Sequence, residues 1–253
     1  MSVPAYIVGV LKAAGIPPGR LSRLSKGEMM IRQYKGRISY INEESQEFGF
    51  EEFRGTVYED GTRILRAMCV MNHVNLVRDV TYSMQEDFSP IDCFVRVSSD
   101  GRFIGSGWFR FTDDHAEGEI VNADMGRVSQ RFETPGRVRL FGSHPIVVDS
   151  LKARLVKAER PGELQRIENA YSSSLVINGA SGPMMAPKQY DMFYRGPRTV
   201  EVGAGQFDTE YFDWDTNTGR VLQIDAIPGD WVPARVVVPQ NGRRYELVEF
   251  STF

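Results

Sequence analysis

The chain has 253 residues, enough for one large domain or two of about half that length, and its 42% hydrophobic and 25% charged residues are those of an ordinary globular protein. A formal net charge of −3 supplies no global basic field, which sets nucleic acid aside as a partner. No window holds the roughly 20 apolar residues of a membrane helix, so no membrane partner is expected either. Two cysteines, Cys69 and Cys93, are too few for a disulfide framework and have no metal-ligand spacing. They read as small buried strand residues, with a cross-strand disulfide as the alternative.

The first 15 residues, MSVPAYIVGVLKAAG, lack the basic start and long apolar centre of a secretory signal, so the expected address is cytoplasmic. Ile7, Val10, Leu11 and Ala14 have helical spacing, and Gly15 with Pro17-Pro18 ends the pattern. Residues 1–27 therefore read as a helix and linker. Residues 29–35 and 36–42 read as a hairpin, followed by an acidic, strand-poor segment from Glu43 to Glu52.

Strand patterns then run almost without interruption. Thr62–Met71, Val74–Met84 and Ile91–Val97 alternate apolar with polar residues, the mark of a sheet with one buried face. In Arg102–Phe111, Gly105 and Gly107 stand among three phenylalanines. Glycine within a strand marks a bend or a close approach, so this face holds either a barrel corner or a ligand niche. Further hairpins follow to Phe141. Val148, Leu151, Leu155 and Val156 return to helical spacing, and residues 161–169 are helix-compatible. After a loop-rich stretch to Lys188, strand patterns resume at 190–194, 198–202, 206–214, 220–226, 233–238 and 243–250.

Three short matches recur in order at nearly constant offset. Phe53-Arg54-Gly55 returns as Tyr194-Arg195-Gly196, Asp87-Phe88-Ser89-Pro90 as Asp230-Trp231-Val232-Pro233, and Gly101-Arg102 as Gly242-Arg243. The offsets imply a duplicated unit. The fold expected is all-β: two tandem antiparallel half-barrel units, 28–145 and 171–253, joined by a short helical bridge at 146–170.

The run from Val200 to Thr209 (VEVGAGQFDT), followed by Trp231-Val-Pro and by Arg244-Tyr-Glu-Leu-Val248, resembles an uncharacterised bacterial domain family of curved half-barrels, like lipocalins and lipoprotein carriers. The resemblance covers about the last 65 residues. It implies a curved sheet with an apolar concave face and no catalytic set. Members are commonly exported, which the first residues of this chain do not match.

Few residues carry chemistry. His73, His115 and His144 are too scattered for a metal motif, and no cofactor fingerprint is present, so neither metal nor cofactor is expected. Asp213-x-Asp215-x-Asn217-x-Gly219 is spaced like a turn rather than a calcium loop. Arg78 lies in an apolar row between Leu76 and Val80, with Asp79 facing the other way and Tyr82 further along the same face. An inward guanidinium is paired, reaches to the mouth, or anchors a carboxylate or phenolate in an apolar pocket. Arg78, Asp79, Tyr82 and Trp108 are the candidate ligand residues. His73 and His144, at loop ends, are candidate general bases. These features point to a small apolar or aromatic ligand held in a barrel cavity, with cofactor-free acid/base chemistry of isomerase or lyase type as its enzymatic form. The alternative is a structural or interaction protein with a filled interior. Open half-barrels also leave edge strands through which a homodimer could form.

Overall fold

The structure is a computed structural model and describes residues 31–176 and 179–253. The helix read at residues 4–14 lies outside them. Among the described residues fifteen strands form one sheet. The first eight are β1 (Arg32–Ile41), β2 (Glu47–Val57), β3 (Arg63–Met71), β4 (Leu76–Met84), β5 (Pro90–Ser99), β6 (Arg102–Phe111), β7 (His115–Asn122) and β8 (Gly126–Glu133). Next come β9 (Leu140–Gly142), a helical turn α1 (Ile146–Asp149) continued as a 3-10 segment Ser150–Leu155, and β10 (Leu164–Ser172). The chain closes with β11 (Ala186–Val202), β12 (Gly205–Asp215), β13 (Val221–Ile227), β14 (Val232–Val238) and β15 (Arg243–Thr252). The spatial order is β8-β7-β6-β5-β4-β3-β2-β1-β15-β14-β13-β12-β11-β10-β9. Every pairing is antiparallel except that of β9 with β10.

All-β architecture was legible in the period-two alternation, and the structure has it. Several boundaries differ from the sequence reading. Gly36 does not turn the chain; β1 runs straight through it. Its hydrogen atom faces the ring of Phe53, where a Cβ would stand 2.5 Å from the ring edge. The acidic stretch after Glu43 becomes β2, because Phe48, Phe50, Glu52 and Arg54 alternate with a face of Gly49, Glu51, Phe53 and Gly55. Residues 161–169, read as helix-compatible, instead run into β10, which pairs with β11. The strands on both sides of residues 146–170 belong to one continuous sheet, joined where β1 pairs with β15.

The inner face is built in rungs that cross the strands. One rung runs from Phe53 through Ala67, Val80 and Val95 to Ile120, with Gly107 between the last two. The next runs from Leu65 through Tyr82 and Cys93 to Phe109. These side chains are buried, each worth roughly 1.5–3 kcal/mol of transfer free energy when large. Phe141 of β9 crosses to them, with ring centroids 4.9 Å from Phe109 and from Phe111. Tyr82 meets it edge-on, and the Phe141 amide donates to the Tyr82 hydroxyl at 3.3 Å. The clearing left by Gly105 and Gly107 is not a niche. Pro183 fills it, with Phe109 at its far side.

The sheet curls until its two ends meet. The side-chain amide of Gln130 on β8 accepts from the Met185 N–H at 2.8 Å and donates to the Met185 carbonyl at 3.0 Å. A side chain thus reproduces the paired bonds of a strand ladder across the seam. Phe132 and Tyr171 close it on the apolar side. The segment from β9 through α1 to Leu155 lies within the curl, with Ile146, Val147, Val148, Leu151 and Ala153 all buried.

The repeated Asp-aromatic-x-Pro turns sit between β4 and β5 and between β13 and β14. Both hold the aromatic residue in the left-handed region, Phe88 at φ 62° and Trp231 at φ 55°. At Phe88 the strained backbone is tied by its amide to Gln85, and Arg63 stacks on the ring at 4.1 Å.

Candidate functional site

Burying an acidic residue in a sheet requires partners for each oxygen, and Glu51 has four. It faces inward from β2, where its carboxylate accepts the amides of Ile146 (2.7 Å) and Val147 (3.0 Å) at the start of α1. It also accepts the Tyr40 hydroxyl at 2.9 Å and the Cys69 thiol at 3.4 Å. Desolvation raises the Glu51 carboxyl above its ordinary range, while the two amides, the phenol and the thiol pull it back. The sheet and the inner segment are locked together at this point. Cys69 and Cys93 are both buried free thiols.

Near Glu51's partners Tyr40 and Ile146 a pocket opens toward the surface at His73 and Arg220. A cavity of about 280 Å³ lies between the β3–β4 turn, the start of α1, and strands β12 to β15. Its walls are aromatic: Tyr40, Phe48, Trp214 and Tyr245. Tyr40 and Tyr245 meet edge-on at 4.9 Å. Inside this ring the polar lining comes from His73, Arg78, His144, Asp149, Arg220, Asn241 and Arg243. This volume lies just below the roughly 300–1,000 Å³ typical of small-molecule pockets.

Three of the residues predicted from sequence are brought together here. Arg78 is buried on the inner face of β4, its guanidinium against Gly179 and close to His144. Gly179 adopts φ 72°, and a Cβ there would stand 2.2 Å from an Arg78 nitrogen and 2.9 Å from the His144 ring. Only glycine lets this loop close on the pair. His144 is held in the left-handed region at φ 77°, its Nε2 3.4 Å from the Ser172 hydroxyl. His73 lies in the turn between β3 and β4 with its ring edge-on to Phe48 at 4.9 Å. Burial, and then the Arg243 guanidinium, lower the His73 imidazole below its ordinary range.

The other three lie elsewhere. Tyr82 is fully buried in the packed half, committed to Phe141. Trp108 is 44% exposed on the outer face, its indole N–H donating to Asp92 at 3.3 Å. Asp79 also faces outward, as the alternation of β4 requires. A strand places neighbours on opposite faces but does not say which face curls inward at which end.

Sequence reasoning missed most of the cavity. Trp214, Tyr245, Arg220 and Arg243 come from the far half of the chain, and β1 and β15 must pair before Tyr245 meets Tyr40. Asp149 and Lys152 were hidden in the segment read only for its apolar spacing. The Lys152 ammonium is buried over the faces of Trp214 (4.0 Å) and Tyr190 (4.7 Å), and it bonds to the Asp149 carboxylate. Desolvation lowers the Lys152 pKa, and Asp149 opposes that shift. The acid in the cavity wall thus already has its cation, whereas Arg220 and Arg243 have no ion pair among the described residues.

No family model and no curated protein matches the chain. Among solved structures it is similar to a β-barrel-like protein of the domain of unknown function DUF1849 from Brucella abortus, at TM-score 0.46 and 8% identity, over 89% of this chain and 98% of that one. It is also similar to a DUF1089 family protein from Pseudomonas aeruginosa, at TM-score 0.40 and 12% identity, over 75% and 89%. A protein with a YmcC-like fold from Bacteroides fragilis aligns at TM-score 0.30 and 9% identity, over 87% and 95%. The described residues form a single all-β sheet, and the chain is similar in structure to these β proteins.

Proposed function

We propose that the protein binds a small molecule with an aromatic or apolar body and a single carboxylate or phenolate group. One observation carries this reading: a ring of aromatic walls encloses arginines from three separate elements, while the acid beside them is neutralised by Lys152. An apolar body would gain by leaving water for those walls, and a planar anion matches the guanidinium fork. Arg78 is placed at the floor, and Arg220 and Arg243 at the rim.

Calorimetric titration with 2-naphthoate and with the neutral 2-naphthalenemethanol tests it. The acid should bind at least tenfold more tightly than the alcohol, and Arg243→Met should remove most of that preference. Equal affinities, or no binding of either, would leave the interior as structural packing only.

A proton-transfer role is favoured by one further observation. His73 and His144 line the same cavity, and His73 is held toward its neutral form, ready to accept a proton. In that reading His73→Ala or His144→Ala abolishes turnover of a bound carbon acid yet leaves naphthoate affinity within about twofold. Loss of affinity in both variants assigns the histidines to binding instead.

A further inference from the structure

The outer face of the sheet carries a charge pattern that the inner cavity does not explain. Elsewhere on the outer surface most charges facing each other across strands are of opposite sign, as Asp79 with Arg96 and Asp92 with Arg110, although Asp191 faces Asp215. Arg110, Glu117 and Arg131 stand opposite one another on β6, β7 and β8 with ion pairs of 2.5 and 2.7 Å. The buried Asp225 on β13 faces Arg235 on β14 and also pairs with Arg198, which reaches it from two strands away on β11. On β1, β2 and β3 the rule fails. Lys35 faces Arg54, and Arg54 faces Arg66.

Like charges directly opposed weaken a sheet. None of these three has an ion pair among the described residues; Arg54 donates to the Gln33 amide at 2.6 Å. They line a trough of about 930 Å³ that runs over β15 to β4 and is walled by the turn between β11 and β12. That turn is fastened down, with the Ala204 amide donating to Leu247 at 3.0 Å. Carboxylates do line the trough, but on the adjacent rung, where Glu249 and Glu52 flank an Arg37 already held by Glu47 and Asp79 stands two strands further on, beyond Met68.

From this placement we infer that the trough is a second binding site, for an oligophosphate of two or three linked phosphates lying across the strands on Lys35, Arg54 and Arg66. Strands are about 4.8 Å apart, so three cations span roughly 10 Å, wider than a single phosphate needs. The acidic rung beside them sets the direction. A chain turned along the strands would meet Glu52, so the anion lies along the cationic rung. This site is independent of the inner cavity.

The test is titration of the purified protein with inorganic tripolyphosphate at two salt concentrations, beside Arg54→Glu and Arg127→Glu. The two substitutions change net charge equally, but Arg127 lies on β8 with Glu119. Wild type should bind with an affinity that falls as salt rises, Arg54→Glu should weaken it tenfold or more, and Arg127→Glu should stay within twofold. Arg54→Glu also restores alternating sign, so its melting temperature without ligand should equal or exceed that of wild type. Arg66→Gln serves as the second variant and should weaken binding at least threefold. No heat on wild type, or equal affinities for Arg54→Glu and Arg127→Glu, overturns the inference.

Discussion

At the scale of single residues, the interior is governed by what a buried group must find. Glu51 gives a pH signature with a definite sign. Its folded-state pKa is raised above the unfolded value, so the folded protein binds more protons between the two. The contribution of Glu51 to stability is therefore fully present below the ordinary glutamate range and is lost as pH rises through the raised value. Glu51→Gln should flatten that limb of a melting-temperature profile, while retaining an acceptor for the two α1 amides. A profile identical to wild type would show that the carboxylate is compensated fully by its four partners. Gly55 makes a steric case. A Cβ there would lie 2.0 Å from the Tyr34 ring, which is itself buried. Gly55→Ala should cost about 1–3 kcal/mol in denaturant unfolding, the usual penalty for overpacking.

At the scale of elements, the inner segment around α1 joins the two functions of the interior. One side is packed through Phe141, and the other frames the cavity through Ile146 and Asp149. Lys152 ties it to β11 and β12 through Tyr190 and Trp214. Lys152→Met leaves Asp149 without its cation and should cost about 3 kcal/mol, the loss typical of removing one member of a buried pair. The same change frees an acid in the cavity wall, so naphthoate affinity should fall as well. An affinity unchanged from wild type would separate the ion pair from the site.

Much of the element structure was legible because alternation with period two survives in β3 to β6, and the inward Arg78 could be read from its row. The α1 segment was legible only as apolar spacing, since a four-residue helix has too little length to show a full period. Strand β2 was missed because Glu51 breaks its inward row with a charge made tolerable by distant partners, the α1 amides, Tyr40 and Cys69. Tyr82 was assigned to a cavity wall because period-two alternation fixes which residues share a face, not which end of that face is filled, whereas Trp108 stands on the face opposite Phe109 and Phe111, as the alternation of β6 already implies.

At the scale of the whole molecule, one sheet curls on itself and is fastened where Gln130 imitates a strand. Replacing Gln130 with Ala leaves the Met185 amide and carbonyl to water and should lower stability by about 1–2 kcal/mol. Hydrogen exchange should then accelerate in β8 and at the start of β11, with β1, β2 and β15 unchanged. Uniform acceleration across all strands would mean that the seam opens only with global unfolding. The cavity lies away from that seam, where strands from both ends of the chain converge through the β1–β15 pairing.

The most direct test of an anion-anchoring cavity is hydrogen exchange with and without saturating 2-naphthoate. Exchange should slow in β4 near Arg78, in the turn around His73, at the start of α1, and in β15 near Arg243 and Tyr245, with the outer trough unaffected. Protection confined to the outer face, or none at any concentration that saturates binding, would contradict it.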